Sequence, residues 1–552
     1  MKNFLTDNQD ILFHLEHLDL DRIIGLKEEN FSQAKQYPHA PTDADDARDS
    51  YRRVLAIVGE IAAGYMSPNA ATVDERGPSL ADNQVTFHPV IHKTAKILAQ
   101  ADLTGFCIPR QYKGLNMPVI TLCMALEIMA RADASFLNFG LQQCIAGAIN
   151  KFASEDQKQS CLPKLGSGEW DSSMMLSEPD AGSDLQSIRL RATLENDGTW
   201  YLNGVKHFIS NGCSSLSLIL ARSEENIRGA RGLSLFLYKR DEKMLIRRVE
   251  NKLGLRGSAT CELQFNHARA ELIGQRQRGL ITYTLWLMNH ARLGVAAQAL
   301  GIAEAAFREA DQYAAQRIQF GTAIGKFAPV FEMLGSMQVS LEACRSLLYE
   351  TACFTDLNDS MGEKKYARYA GFLVPLVKAY ASEMANKLTY NAIQIHGGAG
   401  CMKECNVQRH YRDARITSIY EGTTQLQITA AIGAITSGTA QMLLDEYDRG
   451  DYPKYQDMVI GIRECRNIFD KTLEFVLAER SYDQFLAYHS QRLAEMACDL
   501  VIAWLLLRDA QYSERKHRIT EIFVTGLKPR IFALSEFIIN EKGTLLRNYK
   551  RL

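Results

Sequence analysis

A chain of 552 residues exceeds what one hydrophobic core can organise, so several packed units are expected. Its 46% hydrophobic and 23% charged content fits a folded globular protein and argues against a disordered one. A net charge of −1 gives no general attraction to nucleic acid or to an anionic membrane.

The opening MKNFLTDNQDILFHLEHLDLDR is mixed and acidic. It has neither the basic start and cleavage site of a secretory signal nor the Arg-rich look of a transit peptide, so a cytoplasmic protein is expected. Residues 1–45 read as a short helical preface followed by a polar linker. From 46 to 171 apolar residues recur three and four apart, as in RRVLAIVGEIAAGYM and ITLCMALEIMARADA, which predicts an α-domain. From 172 to 278 the texture turns to short β-rich runs separated by glycine and Asn-Gly turns: TWYLNGVKHFISNG, LSLILARS, GLSLFLYKR, CELQFNHARAELIG. Long helical patterns return over 279–435 and again over 436–552. The run Met496–Leu507 is too short to span a bilayer, and Asp499 interrupts it, so it predicts a buried helix. The fold class is therefore mainly α with a central β-domain. Strands and helices do not alternate, which argues against an all-parallel α/β sheet.

The 12 cysteines show no pairing rhythm and suit reduced thiols. The spacing of His396, Cys401, Cys405 and His410 fits no common zinc pattern, so no metal is expected. Gly321–Lys326 is one residue short of a phosphate-binding P-loop, and no G-x-G-x-x-G follows a strand. The stretch SIYEGTTQLQ, residues 418–427, holds a single carboxylate, Glu421, with a glycine at its shoulder. Locally this suits a cap, a turn or a catalytic base equally well. LSEPDAGSD, residues 176–184, reads either as a helix cap or as a loop whose hydroxyls and amides hold a cofactor edge.

Five segments in order decide between these readings: LSEPDAGSD (176–184), NGVKHFISNG (203–212), RIQFG (317–321), QIHGGAG (394–400) and YEGT (420–423). Together they resemble the FAD-dependent acyl-CoA dehydrogenase family over roughly residues 50–435, in a C-terminally extended form. The resemblance implies a helical domain, a β-barrel-like domain and a four-helix bundle, with an added helical domain beyond 435. It implies FAD contacts from Leu176, Ser177 and Ser183, from Phe208, Ile209 and Ser210, and from Thr423 and Gln425. Arg317, Gln319 and Phe320, with Gln394, Gly397 and Gly398, are implied to reach the cofactor of a neighbouring subunit, which makes the active unit at least a homodimer, with a tetramer as the alternative. A guanidinium suits a pyrophosphate because its planar fork matches paired oxygens. Phe327-Ala328 stands where many members carry a Phe-Gln or His-Gln pair, which removes one adenine-side contact. Ser183, Asn289, Arg292 and Gly422 are implied to line the acyl-CoA site.

By the same resemblance Glu421 is the base that takes the α-proton of an acyl-CoA, while hydride passes from the β-carbon to flavin N5, giving a trans-2-enoyl-CoA. A carboxylate beside an apolar acyl chain should be a stronger base than usual. Some members carry the base on an earlier helix, but Ala291 occupies that position here. Electrons are implied to pass to an electron-transfer flavoprotein, in the β-oxidation type of chemistry. An acyl-CoA oxidase using oxygen is the near alternative, and a flavin-binding, DNA-binding member with weak activity the distant one; no nucleic acid is expected. The basic residues of the last forty positions, Arg515, Lys516, Arg518, Lys528, Arg530, Lys542, Arg547, Lys550 and Arg551, leave peripheral membrane contact open. The acyl chain is not legible.

Overall fold

The computed structural model describes residues 2–137, 142–479, 484–541, 544–548 and 550. Its N-terminal segment forms α1 (Gln9–His17) and α2 (Asp21–Lys27), and α3 (Ala44–Ile61) runs through one π-turn into α4 (Ser67–Arg76). Asn8 caps α1 and Asp43 caps α3 with their side-chain oxygens, as their types predict. The preface is no loose appendage. Leu5, Ile11, Leu15, Leu20 and Ile24 are all buried in the main core.

A two-stranded hairpin, β1 (Ser79–Ala81) with β2 (Gln84–Thr86), interrupts this helical block. The helical reading of 46–171 missed it, because three-residue strands leave no periodicity. Helices α5 (Pro89–Gln100), α6 (Val119–Asp133), α7 (Gln142–Phe152) and α8 (Glu155–Gly166) complete the block. Alpha6 is capped from a distance: Asp356 accepts from the amides of Val119 (2.8 Å) and Ile120 (3.0 Å).

Seven strands follow: β3 (Ser172–Met175), β4 (Arg191–Leu194), β5 (Trp200–Ser210), β6 (Leu216–Arg222), β7 (Leu233–Lys239), β8 (Met244–Val249) and β9 (Thr260–Leu272). They run in the order β3-β6-β4-β5-β9-β7. Beta6 also pairs β7, and β8 pairs β9, so the sheet curls back on itself. Beta6 and β7 are buried over their first six residues, which explains their unbroken apolar runs.

The long helices α9 (Leu285–Gln316), α10 (Ala328–Met361), α11 (Lys364–His396) and α13 (Thr424–Thr436) form the bundle, with α12 (Val407–Ala414) beside them. Small residues let α9 press on α6: a Cβ on Gly301 would meet the Glu127 carbonyl at 2.4 Å. Between α9 and α10 a hairpin, β10 (Ile318–Gln319) with β11 (Thr322–Ala323), projects outward. Helices α14 (Thr439–Asp448), α15 (Gln456–Ala478), α16 (Phe485–Ala510), α17 (Glu514–Glu541) and α18 (Thr544–Asn548) form the C-terminal extension. Alpha16 buries Leu500–Leu507 throughout. No helix among the described residues is long and apolar enough to cross a membrane.

Several cations of the basic C-terminal face are paired within the chain, although Lys516 alone of them is buried. Lys516 is buried against Glu342 and Asp10, Arg515 also pairs with Asp10, Lys528 pairs with Glu464 at 2.7 Å and Arg530 with Asp499 at 2.8 Å. These pairings reduce the charge those four offer to a partner; Lys542 and Arg551 lie outside the described residues.

Candidate active site

Glu421 stands between α12 and α13 with φ = 54°, a left-handed conformation that costs a non-glycine residue roughly 1–3 kcal/mol. Gly422 follows at φ = 92°, where only glycine is at ease, so the Glu-Gly order is a backbone requirement as well as a chemical one. The strained turn is clamped through its carbonyls. Gln427 Nε2 donates to the carbonyls of Glu421 (3.0 Å) and Gly422 (2.9 Å), Lys378 Nζ donates to Gly422 (2.7 Å), and Arg292 Nε lies 3.5 Å from the Glu421 carbonyl. Asn289 Oδ1 accepts from Arg292 at 2.9 Å, and Tyr420 is held by its hydroxyl on Gln298. Thr423 caps α13, accepting from the Leu426 amide.

Burial pushes the Glu421 carboxyl up to about 7, against the pull of Arg292 and Lys378. Burial also lowers Lys378 to about 8, although Glu421 opposes that shift. A base must be ionised to accept a proton. Turnover that depends on Glu421 is therefore expected to rise with pH through a midpoint near 7, and a pH profile of kcat/KM on the free enzyme checks it. A profile flat from well below 7 to above it would remove Glu421 from the proton transfer.

Lys378 and Gln427 were missed by the sequence reading. A signal for Lys378 existed: it is the one charge between Arg368 and Glu383, inside an apolar helix. Arg292, which sequence logic without the resemblance would put on a surface, is 8% exposed.

At the barrel rim β5 bulges between Lys206 and Ile209. The bulge gives Phe208 φ = 60° and turns its ring outward, 63% exposed and stacked on His207 at 3.8 Å. Ile209 sends its side chain into the core instead, and Ser210 is half-buried beside it. The loop after β3 is tied to the bulge. The His207 amide donates to the Ser177 carbonyl (3.0 Å), and buried Lys206 donates to the Leu176 carbonyl (2.7 Å) and to Glu178 (2.9 Å). Glu178 also accepts from the amides of Arg189 (2.6 Å) and Leu190 (3.0 Å). Leu176 packs in a small apolar cluster that Met288 joins, which sets this loop beside the start of α9, next to Asn289. Ser183 and Gly182 are exposed on the same loop.

Lys206→Met would leave Glu178 buried without its cation. Since the two backbone amides remain, we expect a loss of about 3 kcal/mol in stability together with weaker flavin retention. Thermal unfolding with and without added flavin measures both, and an unchanged protein would show that the pair does not hold the loop.

The remaining expected cofactor residues lie elsewhere. Arg317, Gln319 and Phe320 are exposed on the β10–β11 hairpin, Phe320 at 96%. Gln394, Gly397 and Gly398 are exposed at the end of α11, and nothing stands within 4 Å of a Cβ added to either glycine. These two groups adjoin each other, since Tyr313, one turn before Arg317, stacks on His396 at 4.4 Å. Arg292 and Arg317, however, are separated by about 38 Å of α9 at 1.5 Å per residue. The expected cofactor residues of one chain therefore fall into two groups, far apart along α9.

The residues fit a flavin dinucleotide. An outward aromatic ring stands on a bulge beside a hydroxyl-bearing loop, and α13 opens on Thr423 with no acid in its first turn, a setting suited to phosphate. Among the described residues one metal-like grouping occurs, His207, Glu250 and Glu262, but Arg248 sits within it, 2.8 Å from Glu250 and 3.1 Å from Glu262. His396 and His410 are engaged with Tyr313 and Glu309.

Models of the acyl-CoA dehydrogenase N-terminal, middle and C-terminal domains match residues 49–169, 173–268 and 278–435, and a second acyl-CoA dehydrogenase C-terminal model matches 436–542. The chain belongs to the acyl-CoA dehydrogenase family. It is 33% identical over 458 residues to the 3-methylmercaptopropionyl-CoA dehydrogenase of Ruegeria pomeroyi, covering 77% of this chain and 75% of that protein. Butyryl-CoA dehydrogenase from Megasphaera elsdenii shares its structure at a TM-score of 0.63 and 30% identity, over 70% of this chain and 98% of that one. An acyl-CoA dehydrogenase from Bacillus anthracis complexed with FAD aligns over 90% of both chains at a TM-score of 0.77 and 22% identity. That longer likeness takes the shared fold into the C-terminal extension. As an acyl-CoA dehydrogenase the chain is an FAD-dependent oxidoreductase acting on a CH–CH bond of an acyl-CoA thioester.

Proposed function

We propose that this acyl-CoA dehydrogenase converts an acyl-CoA into a trans-2-enoyl-CoA with Glu421 as the base. The observation that carries this reading is a carboxyl raised to about 7, held on a clamped left-handed turn beside Arg292 and Lys378. The Glu421 amide has no protein acceptor among the described residues, which leaves it free to donate to a thioester carbonyl. That donation makes the α-proton acidic, and Glu421 takes it onto a carboxylate oxygen. Gly422 leaves space beside the backbone for the thioester, and Asn289 and Ser183 are the polar groups offered to the CoA arm. Bound FAD supplies the hydride acceptor for the β-carbon.

Leu176, Ser177, Phe208, Ser210, Thr423 and Gln425 form the near half of the cofactor site. The other half comes from a second protomer. Arg317, Gln319, Phe320, Gln394, Gly397 and Gly398 stand too far along α9 to serve their own Glu421, and a two-fold dimer completes both sites at once. Electrons then leave to an electron-transfer flavoprotein. Anaerobic reduction of the flavin by acyl-CoA tests the chemistry. Arg317→Ala, expected to weaken FAD binding about tenfold or more while Glu421 keeps its place, tests the sharing. Undiminished FAD affinity in that variant would contradict it.

A further inference from the structure

One cavity near the catalytic turn has a far end that the dehydrogenation does not use. It has a volume of about 320 Å³. Its near side is formed by Cys144, Leu293 and Gly294: burial raises the Cys144 thiol and the charge of Glu421 adds to the shift, and the two α9 residues directly follow Arg292. Leu122, Cys123 and Leu126 of α6 make its apolar wall. The far end changes character. It presents Lys27 from α2, Asn150 and Lys151 from α7, and Asp359 with Ser360 from the end of α10.

The carboxylates at that end are spent. Asp359 receives Lys151 (2.9 Å), His290 (2.7 Å) and the indole of Trp286 (2.9 Å); burial would raise its carboxyl, but the contacts with His290 and Lys151 outweigh it and hold the group well below the usual range. Asp356, behind the wall, uses both oxygens on the amides that start α6. The donors are not spent. Lys27 is half-buried, and its ammonium has no hydrogen-bond or ion-pair partner among the described residues; Asn150 and Ser360 likewise show none. Lys27 acts on Asp356 only through space, so its ammonium keeps its donors open toward the cavity, and a carboxylate is the group that takes them best, through a charge-assisted bond.

We propose that the far end of this cavity anchors a negatively charged acyl tail on Lys27, so that the preferred substrates are CoA thioesters whose acyl group ends in a carboxylate. The inference rests on the dehydrogenase reading above and adds the substrate class to it. It also assigns a role to the N-terminal segment: α2 supplies a specificity-determining residue.

The test uses the full-length holoenzyme and two thioester series of matched carbon count, one ending in a methyl group and one in a carboxylate. Binding is measured by calorimetry with the non-reactive thioether analogues, and kcat/KM with the thioesters. Wild type is expected to favour the carboxylate series about tenfold or more. Lys27→Met, which keeps the aliphatic stem, is expected to erase that preference through Kd and KM while leaving the methyl series unchanged, and Lys27→Arg to restore most of it. Equal affinity for both series in wild type, or equal losses for both in Lys27→Met, overturns the proposal while methyl-series turnover leaves the dehydrogenase reading standing. Failure of every thioester to bind or reduce the flavin overturns that reading, and this inference with it.

Discussion

Glu421→Gln is expected to lose turnover by about 10²- to 10⁴-fold while keeping its flavin. The substitution preserves shape and removes the proton acceptor. The backbone turn should survive, because Gln427, Lys378 and Arg292 hold it by carbonyl oxygens rather than by the Glu421 side chain. The variant should also be no less stable than wild type near neutral pH. The native carboxyl lies at about 7 against an ordinary 4.5, so between these values the folded protein holds a proton that the unfolded chain releases. Stability from this group is full below about 4.5 and falls as pH rises toward 7, and a neutral amide is spared that loss. Steady-state kinetics with flavin absorbance, and melting curves at two pH values, check both parts. A variant with wild-type kcat and a full flavin complement would place the base elsewhere.

Arg345→Met is expected to destabilise the protein by about 3–5 kcal/mol, the cost of leaving buried carboxylates without their cation. Arg345 is fully buried and touches Glu127 (2.7 Å), Glu304 (2.8 Å) and Glu342 (2.7 Å). Glu342 also meets Lys516 of α17, and Lys516 lies 3.0 Å from Asp10 of α1. The two chain ends are thus fastened to the bundle at one charged knot, with Tyr349 donating to Glu127 at 2.6 Å. Urea denaturation measures the loss, and proteolysis should show α1 and α17 loosening together. A loss below about 1 kcal/mol would mean that neighbouring cations take over the orphaned carboxylates.

The sequence made parts of this molecule readable because they obey local rules. The runs of β5, β6, β7 and β9 alternate or stay apolar between glycine turns, and the helices of the bundle keep their three-and-four spacing. Glu421, Phe208 and Arg292 were singled out by the resemblance of short motifs to the family, and two of those motifs coincide with unusual backbone. The Glu-Gly order serves a left-handed turn, and the Lys-His-Phe-Ile run contains the bulge.

What was not readable depends on partners far apart in the chain. Lys206 with Glu178, Lys378 with the Gly422 carbonyl, and Asp356 capping α6 across more than two hundred residues have no local signature. The docking of residues 1–45 onto the core was missed for the same reason. Their apolar positions look like a marginal amphipathic helix until Asp10 is seen against Arg515 and Lys516. Counting C-terminal cations does not show which of them are already paired, as Lys516 is with Glu342.

The measurement that tests the central claim most directly is anaerobic mixing of the flavin-loaded protein with an acyl-CoA panel, wild type beside Glu421→Gln. Flavin absorbance and enoyl-CoA are followed together. The expected result is bleaching of the wild-type flavin with one enoyl-CoA formed per flavin reduced, and no bleaching of the variant on the same timescale. A wild-type flavin that stays oxidised with every thioester, or a variant that bleaches as fast as wild type, would contradict it.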